Sequence, residues 1–211
     1  MRENRPSLPP GPRPDPPRVA WRKQMRERVL QEARALAAEG GWDRVRVADL
    51  ALRADVSRPS IYKEFGDRAG IGQALVLRET EEFLRGLAAV LDEHRDDLAA
   101  ALRAGVAHAL AEAGTNPFIG AVLTAARGGT DALLPFLTSR PEPVFTSAWE
   151  LLAHWLGEVA PGVVPERRGE AADLAVRLTI SHMLLPSPLT PDAPERVSRA
   201  ACAVLGLPPT P

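Results

Sequence analysis

Residues 46–68 read RVADLALRADVSRPSIYKEFGDR, and the spacing of apolar side chains along this stretch decides the fold. Val47, Leu50, Ala51 and Ala54 fall at i, i+3, i+4 and i+7, one face of a short helix, with Asp49 and Arg53 off that face. Ala54-Asp55-Val56 predicts a tight turn, because Asp tolerates the left-handed backbone region and Val56 can plug the corner between two helices. Ser57 predicts an N-cap. Pro59 falls in the first turn of a second helix, where a missing N–H costs nothing and φ is already helical. Ile61 and Phe65, four apart, face inward, which leaves Arg58, Ser60 and Lys63 outside with Tyr62 at their edge. Gly66 ends this helix and Asp67 caps the next.

Two short helices joined by a tight turn form a helix-turn-helix. The donor-rich outer face of its second helix suits a major groove, where N-terminal residues reach base edges and flanking groups hold phosphates. By geometry alone an αα-hairpin with a polar face in a non-binding bundle fits too. The order Leu50-Ala51, Ala54-Asp55-Val56-Ser57, Ile61-Tyr62, Phe65-Gly66 and Arg68 closely resembles the DNA-binding domain of the TetR family of transcriptional regulators. With the preceding helix, the resemblance covers Arg22 to Leu77. It implies an all-α protein with an N-terminal three-helix helix-turn-helix domain and a C-terminal helical ligand-binding and dimerisation domain. On the motif it assigns DNA contacts to Arg46, Ser57, Arg58, Pro59, Ser60, Tyr62, Lys63 and Arg68, the last as a phosphate anchor. Three positions depart from the common family pattern. Asp55 stands where Gly is usual, Arg46 where a capping Thr is common, and Glu64 where His is common, next to where a phosphate would lie.

The chain of 211 residues has a formal net charge of −1, enough for one compact domain or two small ones sharing a core. Charge is unevenly spread. Through Arg68 there are 15 Lys and Arg against 10 Asp and Glu; the remainder carries 11 against 17. A basic head on an acidic body is what an electrostatically guided DNA binder would show. The single cysteine, Cys202, excludes an internal disulfide framework and a Cys-based zinc site. No apolar run approaches the roughly 18 residues of a membrane span, and no signal-peptide core is present, so a cytoplasmic protein without membrane contact is expected.

In chain order, residues 1–20 are expected to be a disordered tail rich in Pro and Arg, 21–67 the DNA-binding domain, and 68–211 the effector-binding and dimerisation domain. Arg13, Arg18, Arg22 and Lys23 could act as an arm along the DNA, with plain solvation an alternative of at least equal weight. Met25, Val29, Ala33, Leu36 and Ala37 predict a first helix over 21–39 that completes the head. A long helix is predicted from Asp67 to about Leu91, then helices over 96–113, 116–127, 131–137, 144–158, 166–185 and 194–205.

His94, His108, His154 and His182 form no i, i+4 pair, and no metal-ligand, nucleophile-elbow or phosphate-loop spacing occurs. No cofactor, metal or catalytic residue is assigned, and an enzyme is not expected. A pocket lined by Phe83, Leu102, Val106, Phe118, Val122, Phe145 and Trp149 would take a small hydrophobic effector; the same residues could simply be core. By the family resemblance the dimer interface of a homodimer falls on Trp149, Trp155, Leu174, Leu178, Ser181, His182 and Leu185, with Ser181 and His182 expected to be buried polar groups. The expected function is a ligand-released repressor on a pseudo-palindromic double-stranded DNA operator. The alternative is a helical binding protein whose head no longer meets DNA.

Overall fold

A computed structural model describes residues 17–116, 119–120, 123, 142–186 and 192–207. Among these there are eight α-helices and no strand, as expected of an all-α chain: α1 (Pro17–Gly40), α2 (Val47–Arg53), α3 (Arg58–Phe65), α4 (Arg68–Glu93), α5 (Leu98–Thr115), α6 (Glu142–Val159), α7 (Pro165–Leu184) and α8 (Ala193–Leu205). A short 3-10 turn, Trp42–Arg44, links α1 to α2. The helices expected over 116–127 and 131–137 fall largely or wholly outside the described residues, as do Phe118 and Val122.

The first helix starts four residues earlier than its apolar pattern predicts, inside the segment expected to be tail. Pro17 opens it, a position where proline has no N–H to lose and its φ suits a helix. Met25, Val29, Leu30, Ala33 and Ala37 are its buried stripe. They meet Trp42, Val45, Leu50, Ala51, Ala54, Ile61 and Phe65 in one apolar core, which also takes Ile71, Ala74, Leu75 and Val76 from the start of α4. Two short helices gain most of their stability from such packing rather than from propensity.

A second core is built on Leu91 at the far end of α4 and on α5 to α8, with Leu102, Leu152, Trp155, Leu156, Val176, Val197 and Leu205 among its members. The 26 residues of α4 therefore belong to both cores. At 1.5 Å per residue the helix is about 39 Å long, and its middle crosses from one core to the other. Asp97 opens α5, its carboxylate accepting from the Ala100 N–H at 3.0 Å, and α7 opens with Pro165.

Candidate nucleic-acid interface

The helix-turn-helix is fixed by local chemistry at every joint. Arg46 precedes α2 with extended backbone and no side-chain cap bond, the loss its sequence implies. Asp55 has φ 52, the one positive φ outside glycine among the described residues, and Val56 N–H closes the turn on the Ala51 carbonyl at 3.0 Å. Val56 packs against the head core. Ser57 Oγ accepts from the Ser60 N–H at 3.3 Å and shares a 2.8 Å bond with the Ser60 hydroxyl, so both hydroxyls are drawn into the cap. Asp67 then caps α4 by accepting from the Gly70 N–H at 2.8 Å. Gly70 has no substitute here: a Cβ would lie 1.9 Å from the Phe65 carbonyl oxygen where α3 and α4 meet.

Ile61 is fully buried and Phe65 nearly so, which pins α3 with one face outward. Arg58, Pro59 and Lys63 are exposed on that face, and half of Tyr62 is exposed (50%). Arg46 is exposed before α2. Ser57 is exposed and Ser60 partly so, so the hydroxyl, guanidinium, ammonium and phenol groups at the start and along the outer side of α3 are open to solvent.

Arg68, expected as a phosphate anchor, makes its contacts in this chain within the head. Its guanidinium donates to the Trp42 carbonyl, sits 3.6 Å from Asp43 and lies over the Trp42 ring, 5.3 Å from the centroid. It ties the start of α4 to the 3-10 turn, a contact 26 residues distant in sequence that no local pattern signals. Glu64 is corrected. Its side chain is only 8% exposed and is bonded by Arg22 and, at 3.2 Å, by Arg26, so no bare carboxylate faces a phosphate.

The expected effector pocket is rearranged. Leu102 and Val106 are buried in the body core; Phe145 packs on that core under the Arg177 guanidinium at 4.6 Å; Trp149 donates to the Gly169 carbonyl at 3.0 Å. Phe83 lines a cleft. That cleft, about 210 Å³, is bounded by Arg34, Glu79, Glu82, Phe83, Gly86, His108, Glu112 and Asn116, so charged and polar side chains share its walls with apolar surface. Phe83 and His108 stack there with ring centroids 6.2 Å apart. Sequence reasoning missed Arg34, Glu79, Glu112 and Asn116. The available signal was Leu75, Glu79 and Phe83 at successive i+4 steps, which puts Glu79 on the inward face of α4.

Glu79 is 6% exposed, bonded to Arg34 at 2.9 Å and Arg78 at 3.2 Å. Burial raises its pKa, outweighing the lowering by those two guanidiniums. Arg34 also donates to Asn116 Oδ1 at 3.3 Å, so one side chain of α1 holds both α4 and the end of α5.

The expected dimer face divides in two. Trp155 is 6% exposed and donates to Asp92 Oδ1 at 3.0 Å, an internal tie from α6 to the end of α4. Trp149 is tied to α7 within the same chain. On α7, Ala171, Ala172, Ala175, Val176 and Thr179 point inward, whereas Leu178 and, just past the end of the helix, Leu185 are exposed. In the single chain Ser181 is exposed, His182 is half-buried, and Leu174 packs on the core edge.

No cluster of His, Cys, Asp and Glu among the described residues could hold a metal ion, and no described helix is long and apolar enough to cross a membrane. Cys202 is buried, and burial pushes its thiol pKa up, the opposite of a reactive cysteine.

Two family profiles match the chain: "Bacterial regulatory proteins, tetR family" over residues 29–75, and "Bacterial Tetracyclin repressor, C-terminal domain" over residues 97–203. The HTH-type transcriptional regulator AlkX of Mycobacterium tuberculosis is 28% identical over 167 residues, covering 79% of this chain and 78% of that protein. Among solved structures, the TetR family repressor AlkX of Dietzia sp., implicated in biodegradation of n-alkanes, is 26% identical with a TM-score of 0.64, over 84% of this chain and 94% of that one. RolR, solved with resorcinol, shares the fold at 21% identity with a TM-score of 0.58, over 90% of this chain and 91% of that one.

Proposed function

The chain belongs to the TetR family of DNA-binding transcriptional regulators and is not an enzyme, and from that premise we propose a ligand-released repressor that reads a pseudo-palindromic operator as a homodimer. The observation that carries this reading is α3, held rigidly by Ile61 and Phe65 while Arg58, Pro59, Tyr62 and Lys63 stand free of the core. Tyr62 and Lys63 meet base edges or the phosphates beside them; Arg46, Ser57 and Ser60 bracket the backbone. Two such heads on a two-fold axis enter successive major grooves about 34–36 Å apart.

For the homodimer, the exposed leucines of α7 supply the apolar part of the face, with Leu174, Ser181 and His182 around them. For release, the cleft between α1, α4 and α5 is the favoured entry. A small effector would lay an apolar body against Phe83 and turn a polar end toward Arg34 and Asn116. The implication of the Dietzia repressor in n-alkane biodegradation supports an apolar body. An effector that separates Arg34 from its partners frees α4 to tilt, and coupling of about 1–3 kcal/mol lowers operator affinity roughly five- to 150-fold.

Selection from a random duplex pool, with and without hydrophobic effectors, tests the reading. An inverted repeat should be enriched, and Tyr62→Ala and Lys63→Ala should each weaken binding while dimerisation and helicity stay unchanged. Tight, salt-dependent binding retained by both variants would contradict the placement of α3.

A further inference from the structure

Glu64 puts a carboxylate on the flank of the helix that meets DNA, and left bare it would repel the backbone. Two arginines of α1 close on it instead. Arg22 Nε–H donates to Oε2, and Arg26 Nη1 donates to Oε1 at 3.2 Å. Arg26 is fixed a second time, its guanidinium over the Phe65 ring 5.1 Å from the centroid. The three side chains carry one net positive charge. Their exposure is graded outward: 8% for Glu64, 42% for Arg26 and 66% for Arg22.

A helix lying in the major groove is bordered by phosphates, and positively charged groups on its flanks set its register. The first turns of α1 run along that flank, because Arg22 and Arg26 are one turn apart and both reach Glu64. A lone arginine at such a place loses much side-chain entropy on binding. One already tethered through Nε–H loses less, and its terminal N–H groups remain to take a phosphate in bidentate fashion.

We propose that Arg22 is a DNA-phosphate contact and that Glu64 is the positioning residue that holds it beside the recognition helix. The clamp would take over, from α1, the backbone anchoring that the sequence led one to expect of Arg68, which the fold uses to bind Trp42. The inference rests on the DNA-binding reading of α3 and adds a second element to the interface.

The test is a double-mutant cycle of Arg22→Ala, Glu64→Gln and the pair. Each protein is titrated against an operator recovered by selection, between about 50 and about 200 mM salt. Arg22→Ala should weaken binding roughly tenfold near physiological salt, and lower the slope of log affinity against log salt by about one. The double variant should stay as weak and keep the shallow slope. If Arg22 does no more than neutralise Glu64, the double variant returns to the affinity and slope of the parent, which overturns the proposal. Arg22→Lys should keep the slope; its loss there too would count against a charge contact. A parent protein that binds no duplex would indict the reading of α3, not the clamp.

Discussion

Helices α3 and α7 bury opposite kinds of side chain. The recognition helix hides its large residues, Ile61 and Phe65, and shows polar ones. By contrast α7 hides Ala171, Ala172, Ala175, Val176 and Thr179, and leaves Leu178 and Leu185 outside. Large interlocking side chains fix a helix at one angle, which a helix that must enter a groove requires. Small inward residues let helices approach closely, and outward leucines leave apolar surface that a second copy of the chain can cover.

This contrast is most sharply tested by shortening a side chain on one helix and lengthening one on the other. Ile61→Ala, at a fully buried site, should cost about 3 kcal/mol and abolish operator binding, read by urea denaturation and by titration with DNA. Ala175 is 3% exposed among closely packed helices, so Ala175→Leu should cost about 2 kcal/mol through overpacking. A stable Ala175→Leu protein would show that α7 is loosely seated, and the contrast would fail. Arg68→Ala removes a hydrogen bond to the Trp42 carbonyl and a stacking contact on a side chain 36% exposed, and should cost about 1 kcal/mol before any DNA is added.

The same two helices mark where sequence was a good guide. Around α3 the determinants are neighbours in the chain. Ser57 caps through Ser60, Asp55 supplies the positive φ, and Asp67 caps through Gly70, each within a few residues of its partner. Periodicity and turn chemistry therefore located the motif to within a residue. On α7, leucine and alanine both fit a helical stripe, and periodicity alone does not say which of them meets the chain's own core. Close approach to α6 and α8 selects small residues for the inward face, which leaves Leu178 and Leu185, assigned by the family resemblance to a dimer face, on the surface of the single chain. Contacts across the chain were illegible for another reason. Glu64 is neutralised by residues 42 and 38 positions earlier, and Trp155 finds Asp92 at a separation of 63. The cleft likewise needs α1, α4 and α5 assembled before its lining can be named.

What joins the two regions is the middle of α4, and its smallest effect is the most informative. Glu79 is buried beside Arg34 and Arg78, yet its pKa is raised because desolvation outweighs both partners. A carboxyl that holds its proton more tightly folded than unfolded makes stability fall as pH climbs from the ordinary glutamate value of 4.5 through the raised one. Glu79→Gln should remove that decline, so urea midpoints measured from acid to neutral pH should be flatter in the variant than in the parent. Parallel curves would show that the two arginines win, and that the ion pair binds head to body firmly. A flattened curve means that the pair is close to break-even, as buried ion pairs often are. In that case the packing around the pair, more than the pair itself, holds head to body, and a ligand in the cleft that offered Arg34 a substitute acceptor could shift the head only if Glu79 took up a proton or kept Arg78 as its partner.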